Sequence, residues 1–352
     1  MIKGSSGSRY AILAALLFGA STPAAKALLT GSSALSPWLM AGILYMGSGV
    51  GLALCMVARA GLGLGSYASL GRRESPWLLG AILFGGALAP VLLLYGLSRL
   101  APGSASLLLN LEAVFTTLLA WFAFREAFDR RIFVGMVLIL AGGAALSIKG
   151  ALGGSLQGVA LVAAACFCWA LDNNLTRRIS GSDPIQIAML KGLVAGTTNI
   201  LLASFLHHDR ALIWQWAVGG ALGFLGYGLS LVCFVLALRQ LGTARTGAYF
   251  SLAPFVGVPL ALAAGTEALS LRLTAAVILM GAGVWLHLTE RHAHEHGHEG
   301  TAHAERHRHD DHHQHGHPGK EPTGEPHTHQ HDHQQLVHSQ PHYPDLHHPH
   351  QH

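Results

Sequence analysis

Two sets of side chains in this 352-residue sequence could do chemistry, and they sit in opposite surroundings. The last 62 residues hold 21 of the 24 histidines. Many recur as His-x-His: His292, His294, His296 and His298; His313, His315 and His317; His327, His329, His331 and His333. Imidazoles this dense, with Glu295, Asp310, Asp311 and Asp332 among them, form multidentate sites for borderline divalent metals. Ni²⁺ and Co²⁺ fit such donors, with Zn²⁺ and Cu²⁺ as further candidates, and imidazole content alone does not choose among them. The spacing is irregular, so the segment offers many interchangeable sites rather than one geometry. The same rings titrate near pH ~6.5, which leaves a pH sensor as a rival use. With interspersed Pro and Gly and no hydrophobic period, residues 291–352 cannot bury a core and are expected to be disordered without metal.

The second set is embedded in apolar sequence. Charged residues make up 11% of the chain and hydrophobic ones 51%. The mean hydropathy is +0.40, too apolar for a water-soluble protein of this length. Ionisable groups at membrane depth are costly, and they line a pathway or pair with one another. Glu112, two residues from Asn110, is a candidate proton- or cation-binding carboxylate; a structural acid bridging helices is the plainer alternative. Asp172 and Asn173 lie about one turn from the end of one run, and Lys191 about two turns into the next. The two runs are antiparallel, so Asp172 and Lys191 come to similar depth and are expected to pair, either as an anchor or as part of a gate. Cys166 and Cys168 could add soft ligands one turn from Asp172, although isolated membrane cysteines are more often packing residues. The four cysteines all fall in apolar runs and read as reduced rather than as a disulfide framework.

The elements that must position these groups are ten apolar runs near residues 10–29, 37–58, 77–98, 102–123, 131–148, 156–176, 184–206, 214–238, 243–264 and 271–288. They form a duplication. Leu97–Phe128 recurs as Leu238–Leu269 at a constant offset of 141, with eight of 32 positions identical, among them Glu126 and Glu267. Ala14 onward also aligns with Ala164 onward, and Pro37 with Pro184. Because the first run matches the sixth, it belongs to the fold and is not a cleaved signal peptide. The expected fold class is an all-α membrane protein with ten transmembrane helices, arranged as two inverted five-helix repeats (9–149 and 155–290) plus the tail 291–352. With the N-terminus inside, thirteen Lys and Arg fall on the cytoplasmic side and five on the other, so both termini are expected in the cytoplasm. Short loops leave no room for a catalytic domain. Neither a P-loop, HExxH, GxSxG nor a cofactor fingerprint occurs, so an enzyme is not expected.

The ten-run duplication, the Asn110-Leu111-Glu112 segment and the Arg125-Glu126-Ala127-Phe128 turn resemble the EamA-type drug/metabolite transporter superfamily. Ala113 stands where that family commonly has proline, while Ser251-Leu252-Ala253-Pro254 keeps the proline and lacks the acid. The resemblance covers residues 10–289 and implies a multi-pass secondary carrier of the bacterial inner membrane, most often an exporter. Relatives with a His-rich cytoplasmic end in nickel and cobalt resistance incline the reading toward Ni²⁺/Co²⁺ efflux. In that reading the metal is cargo or tail ligand, no cofactor is tightly bound, and the surroundings are lipid rather than nucleic acid. Monomer and homodimer are both left open. A metabolite exporter with the tail as metal buffer, and a non-transporting membrane metal sensor or store, are the rivals.

Overall fold

The structure is a computed structural model that describes residues 6–29, 35–63, 69–124, 130–147, 155–206, 211–289, 294–298, 302–307, 327–332 and 336–340. Each apolar run is helical, as hydrocarbon surroundings demand when every backbone polar group must be satisfied within the chain. In order these are α1 (Ser6–Leu28), α2 (Pro37–Gly61), α3 (Arg72–Arg99), α4a (Pro102–Leu108), α4b (Leu111–Phe124), α5 (Arg130–Ser147), α6 (Leu156–Ile179), α7 (Pro184–Leu206), α8 (Ile213–Leu241), α9a (Thr243–Phe250), α9b (Ala253–Ala263) and α10 (Leu271–Leu288). Pro37 and Pro184 open α2 and α7, where a missing N–H costs nothing. The hydroxyls of Ser36, Ser155 and Ser270 accept from the first-turn amides of α2, α6 and α10, each at 3.2 Å.

Seven stretches are long and apolar enough to cross a membrane: α1, α2, α3, α6, α7, α8 and Arg245–Ala263. The other three runs differ from the uniform spans expected. α5 and α10 have shorter apolar cores, Phe133–Ala145 and Leu271–Leu286. The fourth is not one helix but two, divided by a turn at Leu109–Asn110 where the amides of Leu109 and Asn110 bond back three residues instead of four.

Helix boundaries repeat at the 141-residue offset more faithfully than the residues do. α5 maps onto α10 end to end. A π-helical turn at Ile82–Leu88 inside α3 maps onto one at Gly223–Leu229 inside α8. The break in α4 is matched by one at Ser251–Leu252 in α9. Packing respects the same exchange: α2 lies against α7, α5 against α10, α1 against α8 as α6 against α3, and α1 against α9b as α6 against α4b. The α2–α7 crossing is backbone on backbone. A Cβ on Gly192 would fall 2.5 Å from the Gly49 nitrogen, and one on Gly49 would fall 2.5 Å from the Leu193 nitrogen. Small residues allow the close approach on which helix association in lipid depends.

The tail forms a separate unit. His294–His298 pairs antiparallel with Leu336–Gln340, and Ala302–His307 with His327–Asp332. Of the histidines expected to hold metal, His292, His313, His315, His317 and His333 lie outside the described residues.

Candidate functional site

Between the halves lies a cavity of about 450 Å³, lined from α1 (Phe18), α2 (Tyr45), α4b (Glu112), α6 (Trp169, Asp172, Asn173), α7 (Lys191), α8 (Gly226, Tyr227, Ser230, Leu231, Phe234) and α9a (Phe250). Both halves contribute, and every charged group in the lining comes from α4b, α6 or α7. Phe18 meets Trp169 edge-on with ring centroids 5.7 Å apart and Tyr227 at 5.5 Å; Tyr45 meets Tyr227 at 5.4 Å. Such edge and tilted contacts hold the rings in place.

The structure brings four of the five expected pathway residues to this cavity. Lys191 forms an ion pair with Asp172 Oδ2 although the two residues are only 2% and 3% exposed. Thr176 Oγ1 donates to the other carboxylate oxygen, Oδ1, at 3.0 Å. The pair meets because α6 and α7 are antiparallel neighbours joined by a short turn, which puts the two residues at equal depth. Asn173, one residue further round α6, donates from Nδ2 to Glu112 Oε1 at 2.7 Å and to Thr116 Oγ1 at 3.3 Å. Glu112, at the start of α4b, is therefore the lining carboxyl that Lys191 does not pair with, and it is held by the neutral side-chain amide of Asn173. A smaller cavity of about 280 Å³, between the breaks of α4 and α9, has Glu112 in its wall as well.

Asn110 goes elsewhere. It sits in the turn that splits α4, where its Nδ2 reaches Met280 Sδ of α10 at 3.6 Å and its buried Oδ1 has no hydrogen-bond partner among the described residues. Cys166 faces the same break. Its thiol approaches the carbonyls of Leu108 and Leu109 at 3.7 and 3.9 Å; the second of these also accepts the Glu112 amide at 3.0 Å. Cys168 is half-buried, and among the described residues no three His, Cys, Asp or Glu side chains gather as a metal site.

Residues the sequence reading missed are Tyr45 and Trp169. Both hang on the π-helical turn of α3: Tyr45 Oη donates to the Gly85 carbonyl at 2.5 Å and Trp169 Nε1 to the same oxygen at 3.2 Å. The signal was available in Gly85-Gly86 followed by Pro90. A helix that meets Pro90 loses the N–H that would bond Gly86, and the π-turn sends the amide of Ala89 to Phe84 instead of Gly85. Asn199 Nδ2 takes the Gly86 carbonyl at 3.3 Å.

Polar contacts gather at both ends of the bundle, most of them between the halves. At one end the α6–α7 turn is gripped from three helices. Arg59 of α2 pairs with Asp183, and Arg239 of α8 donates to the carbonyls of Ser180 and Ser182, both at 2.7 Å. Ser182 donates to Glu74 of α3 at 2.9 Å. At the other end Glu267 accepts from the amides of Gly103 and Ser104 at 2.8 and 3.1 Å, which caps α4a. That contact gives a structural use to the second of the repeated glutamates; Glu126 lies outside the described residues.

The model of the EamA-like transporter family matches this chain twice, over residues 5–148 and 156–289. An "Uncharacterized transporter" of Methanothermobacter thermautotrophicus is 31% identical over 230 residues, 63% of this chain and 66% of that protein. The "Uncharacterized transporter YyaM" of Bacillus subtilis is 22% identical over 200 residues, 53% of this chain and 64% of that protein. The chain thus spans just under two thirds of the length of each. A solved crystal structure superposes with a TM-score of 0.63 at 22% identity, covering 81% of this chain and 99% of that one, a likeness of fold.

Proposed function

The chain belongs to the EamA-like transporter family, and from that premise we propose a secondary carrier that exports divalent transition-metal cations, Ni²⁺ or Co²⁺, by alternating access between its inverted halves. In this reading all ten helical runs cross the bacterial inner membrane and both termini are cytoplasmic. The observation that carries the reading is the placing of Glu112 and Asp172 on one cavity between the halves, with Lys191 balancing one carboxylate and leaving the other for a cation. The cavity carboxyls give a partly hydrated divalent ion a passing contact, and the preference for a transition metal rests on the imidazoles of the tail. The His-rich tail collects the metal on the cytoplasmic side. Glu112 takes the cation or the exchanged proton, and the proton gradient drives export. The test is growth and cell-associated metal in a sensitive host exposed to Ni²⁺, Co²⁺, Zn²⁺ or Cu²⁺. It compares the full chain, a chain ending at Glu290, and Glu112→Gln. The expected outcome is lowered nickel or cobalt content that is lost in Glu112→Gln and only weakened by the truncation.

A second reading has its own support. Six aromatic rings, Phe18, Tyr45, Trp169, Tyr227, Phe234 and Phe250, dominate the lining, which suits an organic solute carrying an amine; the tail is then a metal buffer. Unchanged metal content in all three strains, with export of an amino acid or other amine that Glu112→Gln abolishes, would select it.

A further inference from the structure

The π-helical turn in α3 does more than bend a helix. Gly85 is buried, and its carbonyl is the shared acceptor of two cavity-wall side chains that come from different halves, Tyr45 of α2 and Trp169 of α6. Neither helical backbone donor is available to this oxygen. The amide of Ala89, its partner in an α-helix, bonds Phe84, and residue 90, its partner in a π-helix, is a proline with no N–H. The same glycine also lies on the ion pair: a Cβ at Gly85 would fall 2.0 Å from Asp172 Oδ2. One backbone unit therefore touches the aromatic wall through its oxygen and the charged wall through its Cα.

We propose that the Gly85 carbonyl is a positioning group that sets the spacing of Tyr45 and Trp169, and with it the fit of the solute in the cavity. Pro90 keeps the oxygen available for that purpose. The proposal holds for a metal or an organic cargo, since it concerns the wall and not the ion.

The shared acceptor makes a prediction that independent packing residues would not. Tyr45→Phe removes one donor and leaves the carbonyl bonded to Trp169. Trp169→Phe removes the other and leaves it bonded to Tyr45. Only the pair strands a buried acceptor, which is the costly event. The experiment is a double-mutant cycle in proteoliposomes, reading half-saturation and maximal rate for Ni²⁺ and for an amino-acid mixture. The thermal midpoint of each purified protein in detergent is read in parallel. Loss of the Tyr45 hydroxyl is expected to raise half-saturation about tenfold more in the Trp169→Phe background than in the wild type, with maximal rate little changed. The same synergy should show in the midpoint. Adding Pro90→Ala to the double variant supplies a backbone donor at the π-register and should recover part of the loss. Additive effects in both readouts, or a loss confined to maximal rate, would overturn the proposal. Absence of transport by the wild type would count against the carrier reading alone, because the cycle in the midpoint still decides the role of Gly85.

Discussion

Lys191→Met is the substitution whose outcome the structure fixes most firmly. Lys191 is 2% exposed and pairs with Asp172, itself 3% exposed and also held by Thr176. Removing the cation leaves a carboxylate with a single hydroxyl donor in a place that water does not reach freely. Breaking a buried pair from one side costs about 3–5 kcal/mol, whereas replacing both partners with neutral groups of similar shape is often close to neutral. Lys191→Met should therefore lose about 3–5 kcal/mol of stability, and Asp172→Asn with Lys191→Met should regain most of it. Unfolding by SDS titration from mixed micelles, followed by intrinsic tryptophan fluorescence, measures both. If the single and double variants are equally unstable, Asp172 is not an uncompensated charge in the single variant and the burial argument fails. Transport by the same two proteins then separates roles. A double variant that is stable and fully active makes the pair an anchor, and one that is stable and inactive makes it part of the carrying mechanism.

Two more outcomes follow from contacts between the halves. Asp183→Arg should slow transport by breaking the grip on the α6–α7 turn, and Arg59→Asp in the same chain should restore most of it. No recovery in initial-rate measurements would mean that Asp183 matters as the cap of α7, where it accepts from the amides of Ile185 and Gln186 at 2.9 and 3.4 Å, and not as the partner of Arg59. Gly192→Leu should prevent the α2–α7 crossing, costing folded yield on size exclusion by severalfold, since its Cβ would meet Gly49 backbone; a normal yield would show that the helices can part.

Much of this architecture could be read from the chain because a duplication states each element twice. Apolar runs gave the helices, and the 141-residue offset gave their pairing into repeats. The Asp172–Lys191 contact was legible because two antiparallel neighbours joined by a short turn share depth, which needs no knowledge of the rest of the bundle. Asn110 was misplaced for the opposite reason. Spacing along a continuous helix put it near Glu112, and the turn at Leu109–Asn110 directs it to Met280 instead. The aromatic wall was hidden because Tyr45, Trp169 and Tyr227 are far apart in sequence and meet only through long-range packing. Cys166, read first as a packing residue and only second as a soft ligand, lies against the carbonyls of Leu108 and Leu109 at a break that hydrophobicity cannot register.

The pairing of like helices across the two halves has a consequence for energetics. Exchanging the halves carries the backbone plan onto itself, yet none of the cavity's ionisable groups survives the exchange. Glu112 maps onto Ala253, Asp172 onto Thr22 and Lys191 onto Leu44. A carrier that alternates by letting each half adopt the other's shape passes between two states that are mirror equivalents in form and inequivalent in charge. Such states cannot be isoenergetic. In the carrier proposed above, the empty protein is then expected to favour one of them, and the solute to meet a different affinity at each face of the membrane.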